Sequence, residues 1–252
     1  MEVTLLNALI LATTGFLAGF VDSIAGGGGI ITVPVLLSLG LPPHMALGTN
    51  KFQSSFGSMT ATWRYYRKGL FTLRETWLGV LFTFVGAAAG TYLVQLINAD
   101  ILIKAIPLLL LIIFLYTLFS PDLGATDKQV GMSRYLFYPL FGLLLGFYDG
   151  FFGPGTGSFW TIALVVLLGL NLKKATGTTK IMNFTSNIVS LTVFLIGGKV
   201  VFLAGLIMGT GQMAGAWAGS HMVLKHNTKF IRVFFLIVVA ATIARMIWKE
   251  YF

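Results

Sequence analysis

Residues Gly19–Lys51 read GFVDSIAGGGGIITVPVLLSLGLPPHMALGTNK. Four consecutive glycines, Gly26, Gly27, Gly28 and Gly29, interrupt an apolar segment, and Asp22 precedes the interruption. The Gly40-Leu41-Pro42-Pro43 sequence is a turn, because proline cannot continue a helix and restricts the residue before it. The next apolar segment then carries Lys51. Much of this pattern returns at Gly146–Lys180, GFYDGFFGPGTGSFWTIALVVLLGLNLKKATGTTK. The rest of the chain reads as scaffold that holds the two stretches against each other.

The chain of 252 residues is 56% hydrophobic and 10% charged, with mean hydropathy +0.88. A soluble domain carries about 25% charged residues, so this composition predicts an all-α polytopic membrane protein. Its 30 glycines fit that class, since small residues let membrane helices approach closely. The opening MEVTLLNALI lacks a positive n-region, and a retained first segment is expected. There is no cysteine, which excludes disulfide and thiolate chemistry. The net charge of +9 lies mostly in short loops. It reads as a topology signal rather than as a nucleic-acid footprint.

Ten hydrophobic segments are expected, at about 4–22, 29–41, 45–65, 76–97, 101–119, 135–152, 157–170, 175–196, 200–223 and 230–248, against the roughly 20 residues a span needs. The second and seventh are short enough to be re-entrant, so eight full spans plus two short elements fit as well as ten. The polar stretch Ser120–Arg134 separates two halves, 1–120 and 135–252, with 121–134 as the linker. The halves repeat. Asp22, Gly26 and Gly28 match Asp149, Gly153 and Gly155, while Ala46, Gly48, Thr49 and Lys51 match Ala175, Gly177, Thr178 and Lys180. GAAAG at Gly86–Gly90 likewise matches GAWAG at Gly215–Gly219. Five segments per half would invert the second copy. Loop charge agrees: Arg64, Arg67, Lys68 and Arg74 follow the third segment of the first half, whereas Lys173–Lys174 and Lys225–Lys229 flank the third and fifth positions of the second. Lys and Arg favour the cytoplasmic side, so both termini are expected outside the cytoplasm. Arg245 and Lys249 argue mildly the other way.

Inverted repeats are a transporter architecture whose sites lie near the midplane, at broken helices. A helix restarting after Gly29 or Gly157 presents unpaired N–H groups and a positive dipole end, which together attract an anion. The expected substrate-binding residues are Gly26, Gly27, Gly28, Gly29, Thr49, Asn50 and Lys51 from the first half. From the second they are Gly153, Gly155, Thr156, Gly157, Thr179, Lys180, Asn183 and Asn187. Lys51 and Lys180 could clamp an anion from opposite faces, snorkel to an interface, or pair with Asp22 and Asp149. Those aspartates could relay protons, pair with the lysines, or cap backbone N–H groups at the breaks. Polar residues at 50, 54 and 58, and at 179, 183 and 187, share a helix face. They read as lining or as interhelical glue. The glycine runs are not nucleotide loops, since no Gly-Lys-Ser/Thr follows. His44, His221 and His226 lack metal spacing, so neither a cofactor nor a metal is expected.

GFVDSIAGGGG followed by TNK, with GFYDGFFGPGTGSF, a second TK and N-x-x-S-N, resembles the TauE/SafE family of sulfite exporters over essentially the whole chain. Within it the chain is most similar to a branch known only as membrane transporters. The resemblance implies export of sulfite, sulfonates or related organosulfur anions across the bacterial inner membrane. The function expected is a secondary transporter, with a passive anion channel as the alternative and an enzyme disfavoured. The expected partners are a small anion and the bilayer, with a homo-oligomer left open and nucleic acid not expected.

Overall fold

The computed structural model describes residues 4–106, 108, 112 and 131–225. Segment 230–248, most of 101–119, linker positions 121–130 and His226, Arg245 and Lys249 lie outside the described residues. Every regular element among the described residues is helical. The long ones are α1 (Leu5–Ala25), α2 (Gly29–Ser38), α3 (Pro43–Arg67), α4 (Leu73–Leu96), α5 (Arg134–Phe151), α6 (Thr156–Val166), α7 (Leu172–Ile196) and α8 (Phe202–Lys225). Residues 99–106 are also helical.

Local chemistry sets several starts. Thr4, Ser133 and Asn171 each accept a first-turn N–H with their side chains, opening α1, α5 and α7. Pro43 opens α3 at a position where a missing N–H costs nothing. α2 and α6, with 10 and 11 residues, are about 15–17 Å long at 1.5 Å per residue. That is about half of a 30 Å hydrocarbon core, so both are partial elements by length. They end earlier than their apolar runs, at Ser38 and Val166, because turns at Gly40 and Gly169 take positive φ.

The short helices double back. Leu11 of α1, Leu36 of α2 and Ala46 of α3 share one cluster, so α2 returns to the end where α1 began and α3 departs from there. Phe137 of α5, Leu164 of α6 and Ala175 of α7 do the same in the second half. Helices from different halves then pair. Gly15 and Gly19 of α1 face Met208 and Gln212 of α8, and Gly211 and Gly215 face Ala12 and Phe16. A methyl group on any of these four glycines would fall 1.9–2.2 Å from a facing carbonyl oxygen, so the backbones themselves are in contact. Gly86 and Gly90 of α4 meet Leu143 and Phe147 of α5 in the same manner. Residue numbers rise together across both contacts, so each pair runs parallel.

One end of the bundle gathers the basic residues. Arg134 Nη1 donates to Glu75 Oε1 at 3.0 Å, joining the starts of α4 and α5. Arg64 donates to the Trp217 carbonyl at 2.6 Å and lies over its ring. Trp217 is thus half-exposed beside Arg64. At the other end His44 contacts the Val94 carbonyl at 3.0 Å. The α1–α2 hairpin opens toward that second end and α5–α6 toward the basic one.

Burial is the reverse of a soluble protein. Lys51, Lys180, Asn50, Gln53, Asp149 and Gln212 are buried, whereas Leu81, Phe84, Leu144 and Leu206 are exposed. So wide an exposed apolar surface is stable in lipid and not in water. The chain is a multi-pass helical membrane protein. Among the described residues, three helical stretches are both long and apolar enough to cross by length and composition alone, Leu5–Ile24, Leu73–Leu96 and Leu172–Ile196. α3 and α8 match them in length, but α3 carries the polar stripe and the terminal arginines, which lower its mean hydropathy.

Candidate functional site

The two glycine breaks meet face to face. Gly26 has φ +75, and a methyl group there would lie 2.5 Å from the Gly157 backbone. Gly157 would suffer the same clash in return, at 2.6 Å from Gly26 Cα. No side chain fits at either position, which is why glycine stands at both. Gly155, at φ +81, is the left-handed residue that redirects the chain into α6.

Each aspartate sits at the end of the helix before a break. Asp22 Oδ1 accepts the N–H groups of Gly27 at 3.1 Å and Gly28 at 3.3 Å, which caps the break as expected of a short carboxylate. The other side of Asp22 meets the opposite half: Lys180 Nζ donates to Oδ2 at 3.3 Å and to the Asp22 main-chain oxygen. The mirror contact is Lys51 Nζ to Asp149 Oδ1 at 2.7 Å and to the Asp149 main-chain oxygen at 2.5 Å. Ser186 adds a hydrogen bond to Asp149 Oδ2. Both lysines are thus paired with aspartates, and the pairs cross between halves. These side chains are 1–2% exposed for the lysines, 6% for Asp149 and 15% for Asp22. Removing either partner of such a pair strands a buried charge.

A cavity of about 20 Å³ lies between the breaks, room for roughly one water molecule. Its walls are Asp22, Gly27, Gly28, Gly29, Asn50, Lys51, Ser54, Asp149, Gly153, Thr156, Gly157, Asn183 and Asn187. Most of the residues expected at a site are therefore brought together. Five are placed elsewhere. Gly26 is consumed in the backbone contact with Gly157, and Gly155 makes the turn. The Thr49 hydroxyl points away and accepts the Val201 N–H at 2.9 Å. Thr179 is held by Thr161 at 3.0 Å. Lys180 is outside the wall as well, behind Asp22.

The polar stripes serve as lining and as glue at once. Asn50, Ser54, Asn183 and Asn187 line the cavity, while Asn187 Nδ2 also donates to Ser58 at 3.3 Å, tying α7 to α3. Asn183 Oδ1 is buried without a hydrogen-bond partner. Thr32 donates to Asn50 at 2.5 Å, and the Thr161–Thr179 bond is its counterpart in the other half. Thr32, Thr161 and Ser186 were absent from the expected set. The first two were findable, because they lie the same 129 positions apart as the two lysines.

Residues 11–246 match the Sulfite exporter TauE/SafE family. This chain belongs to that family. A TauE/SafE relative from Haemophilus influenzae, named "Probable membrane transporter protein", is 46% identical over 96% of this chain and 94% of its own length. The Escherichia coli K12 "Probable membrane transporter protein YfcA" is 44% identical over 96% of this chain and 90% of its own. A more distant relative, YdhB of Bacillus subtilis, carries the same description at 27% identity over 86% of this chain and 89% of its own. No solved structure matches significantly. The YfcA-like resemblance read from the glycine motifs thus holds over nearly the whole length. Membership places this chain among membrane transporters.

Proposed function

We propose that this chain is a secondary transporter for small oxyanions of the sulfite and organosulfur class. Its two halves, 1–120 and 135–252, act as inverted repeats joined by residues 121–134. Substrate would bind between the breaks at Gly26–Gly29 and Gly153–Gly157. One observation carries the reading: a polar cavity in an otherwise apolar bundle is walled by both breaks and by both lysine-bearing helices, α3 and α7. The α2 and α6 starts bring helix N-termini there, and N-termini attract anions. Asn183, Asn187 and Lys51 add donors. The end carrying Arg64, Arg67, Lys68, Arg74, Arg134, Lys173 and Lys174 faces the cytoplasm on this reading, and both termini face away from it. The name of the family supplies the substrate class, and the bacterial relatives supply the inner membrane as location.

With room for only about a water molecule, the cavity must widen before it admits an anion. That favours a gated carrier over an open channel. The test is a flux screen in proteoliposomes with sulfite, sulfoacetate, taurine and thiosulfate, with and without a proton gradient. Concentrative movement of at least one of them is expected. Flux that only dissipates gradients, at rates above those of a carrier, would overturn the carrier in favour of the channel.

A further inference from the structure

We propose that anion binding at this site takes up one proton, and that Asp22 receives it. The inference rests on the transport reading above and adds the coupling ion to it. The site holds two ammonium groups and two carboxylates, paired off as Lys51 with Asp149 and Lys180 with Asp22. Its side-chain charge is balanced before any ligand arrives. An anion entering such a buried place adds a full charge that the two helix N-termini offset only in part, and an excess buried charge is costly. It must also part the side chains, because the cavity holds no more than a water-sized occupant.

The geometry selects which pair yields. Asp149 is gripped by Lys51 at 2.7 Å and by Ser186, with little exposure. Asp22 is more exposed at 15%, and its contact to Lys180 is longer at 3.3 Å. Asp22 lines the cavity whereas Lys180 does not, so this carboxylate stands between the cavity and the lysine. Lys180 is anchored separately by the Asp22 main-chain oxygen. Its ammonium therefore stays in place while the carboxylate contact is exchanged for the anion. Asp22 Oδ1 keeps its bonds from Gly27 and Gly28, and Oδ2, released from Lys180, forms the O–H bond with a proton from water. Asn183 Oδ1 on the cavity wall has no hydrogen-bond partner among the described residues, and as an acceptor it suits an O–H group in the cavity rather than the anion itself.

Among the described residues, the surroundings of Asp22 offer few other titratable groups. α7 presents Lys180, α3 presents Lys51 and Tyr65, and α5 presents Asp149 across the cavity. Tyr65 is already committed, donating to the Ser23 carbonyl at 2.6 Å. α2 and α6 contain no titratable side chain. α8 meets α1 through Gly211, Gly215 and Gly219, and its His221 sits with Arg64.

The experiment is calorimetric binding of methanesulfonate, a permanent monoanion, to the purified full-length protein in detergent, in buffers of different ionisation enthalpy. Sulfite and sulfoacetate are titrated in parallel. One proton taken up per methanesulfonate bound is expected, with apparent affinity falling about tenfold per pH unit where the empty site has Asp22 ionised. Asp22→Asn keeps the bonds from Gly27 and Gly28 but cannot take the proton. It should bind without proton uptake, with a flat pH profile. Methanesulfonate binding by the wild type without proton uptake overturns the proposal, and needs no variant to fold. Undiminished uptake in Asp22→Asn overturns it too. Failure of every anion to bind at any pH overturns the transport reading, and the proton coupling falls with it.

Discussion

Replacing Lys51 by methionine keeps the length and apolar stem of the side chain and removes its charge. The consequence follows from where Asp149 is left. Its side chain is 6% exposed, and Lys51 supplies the 2.7 Å contact to its Oδ1. Breaking a buried pair from one side costs about 3–5 kcal/mol. At about 2–4 °C per kcal/mol for a chain of this size, the melting temperature should fall by roughly 6–20 °C. The double variant Lys51→Met with Asp149→Asn removes both charges and leaves an amide oxygen for the Ser186 hydroxyl. It should lie within about 1–2 kcal/mol of wild type, because an uncharged replacement of a buried pair is often near neutral. Asp149→Asn alone strands Lys51 at a similar cost, so the cycle then yields a coupling of at least about 4 kcal/mol, above the roughly 0.5–3 kcal/mol usual for contacting residues. The exposed pair Arg134–Glu75, with side chains 48% and 47% accessible, supplies the control: its cycle should give no more than about 1 kcal/mol. The assay is thermal unfolding of detergent-solubilised protein, with all variants at one scan rate and one pH. A Lys51→Met protein that melts within about 2 °C of wild type, or a double variant no more stable than the single one, would refute the buried-pair reasoning.

Two further outcomes are expected. Gly26→Ala should abolish flux while the protein still inserts, since its methyl group would lie 2.5 Å from the Gly157 backbone at a φ of +75; retained flux in proteoliposomes would show that the breaks need not touch. Reporter fusions after Lys68 and after Lys174 should both report cytoplasm, and one after Ala99 the outside, while opposite answers from the first two would remove the inverted repeat.

The glycine runs, the turn at Gly40–Pro43 and the lysines past it were legible because each is a local signal. The segments read at 45–65 and 175–196 became α3 and α7 within three residues at either end. Which lysine meets which aspartate was not legible. Asp22 and Lys51 lie close together in the sequence and could have paired locally. The crossing depends on how α1 packs on α8 and α4 on α5, a tertiary fact set by small-residue surfaces. Thr49 shows a second limit. It is adjacent to Asn50 and Lys51 in sequence, but one residue of helix turns the side chain through about 100°. That rotation is enough to send its hydroxyl to the Val201 N–H instead of the cavity.

The crossing bears on how a carrier of this architecture could move. Lys51 and Asp22 belong to one half, Asp149 and Lys180 to the other, so any rotation of one half against the other strains both pairs together. Two buried pairs broken outright, at about 3–5 kcal/mol each, would add substantially to the barrier for that motion. The contacts to main-chain oxygens soften this, because Lys51 and Lys180 each hold a carbonyl as well as a carboxylate. A carboxylate can leave while the ammonium keeps one partner, and an anion in the cavity can then take the vacated place. On this argument the empty site resists rearrangement and the occupied one does not, which is the property that prevents a coupled carrier from cycling without its substrate. Exchange assays would reveal it as anion-for-anion exchange faster than net efflux, and equal rates would count against the crossed pairs as the barrier.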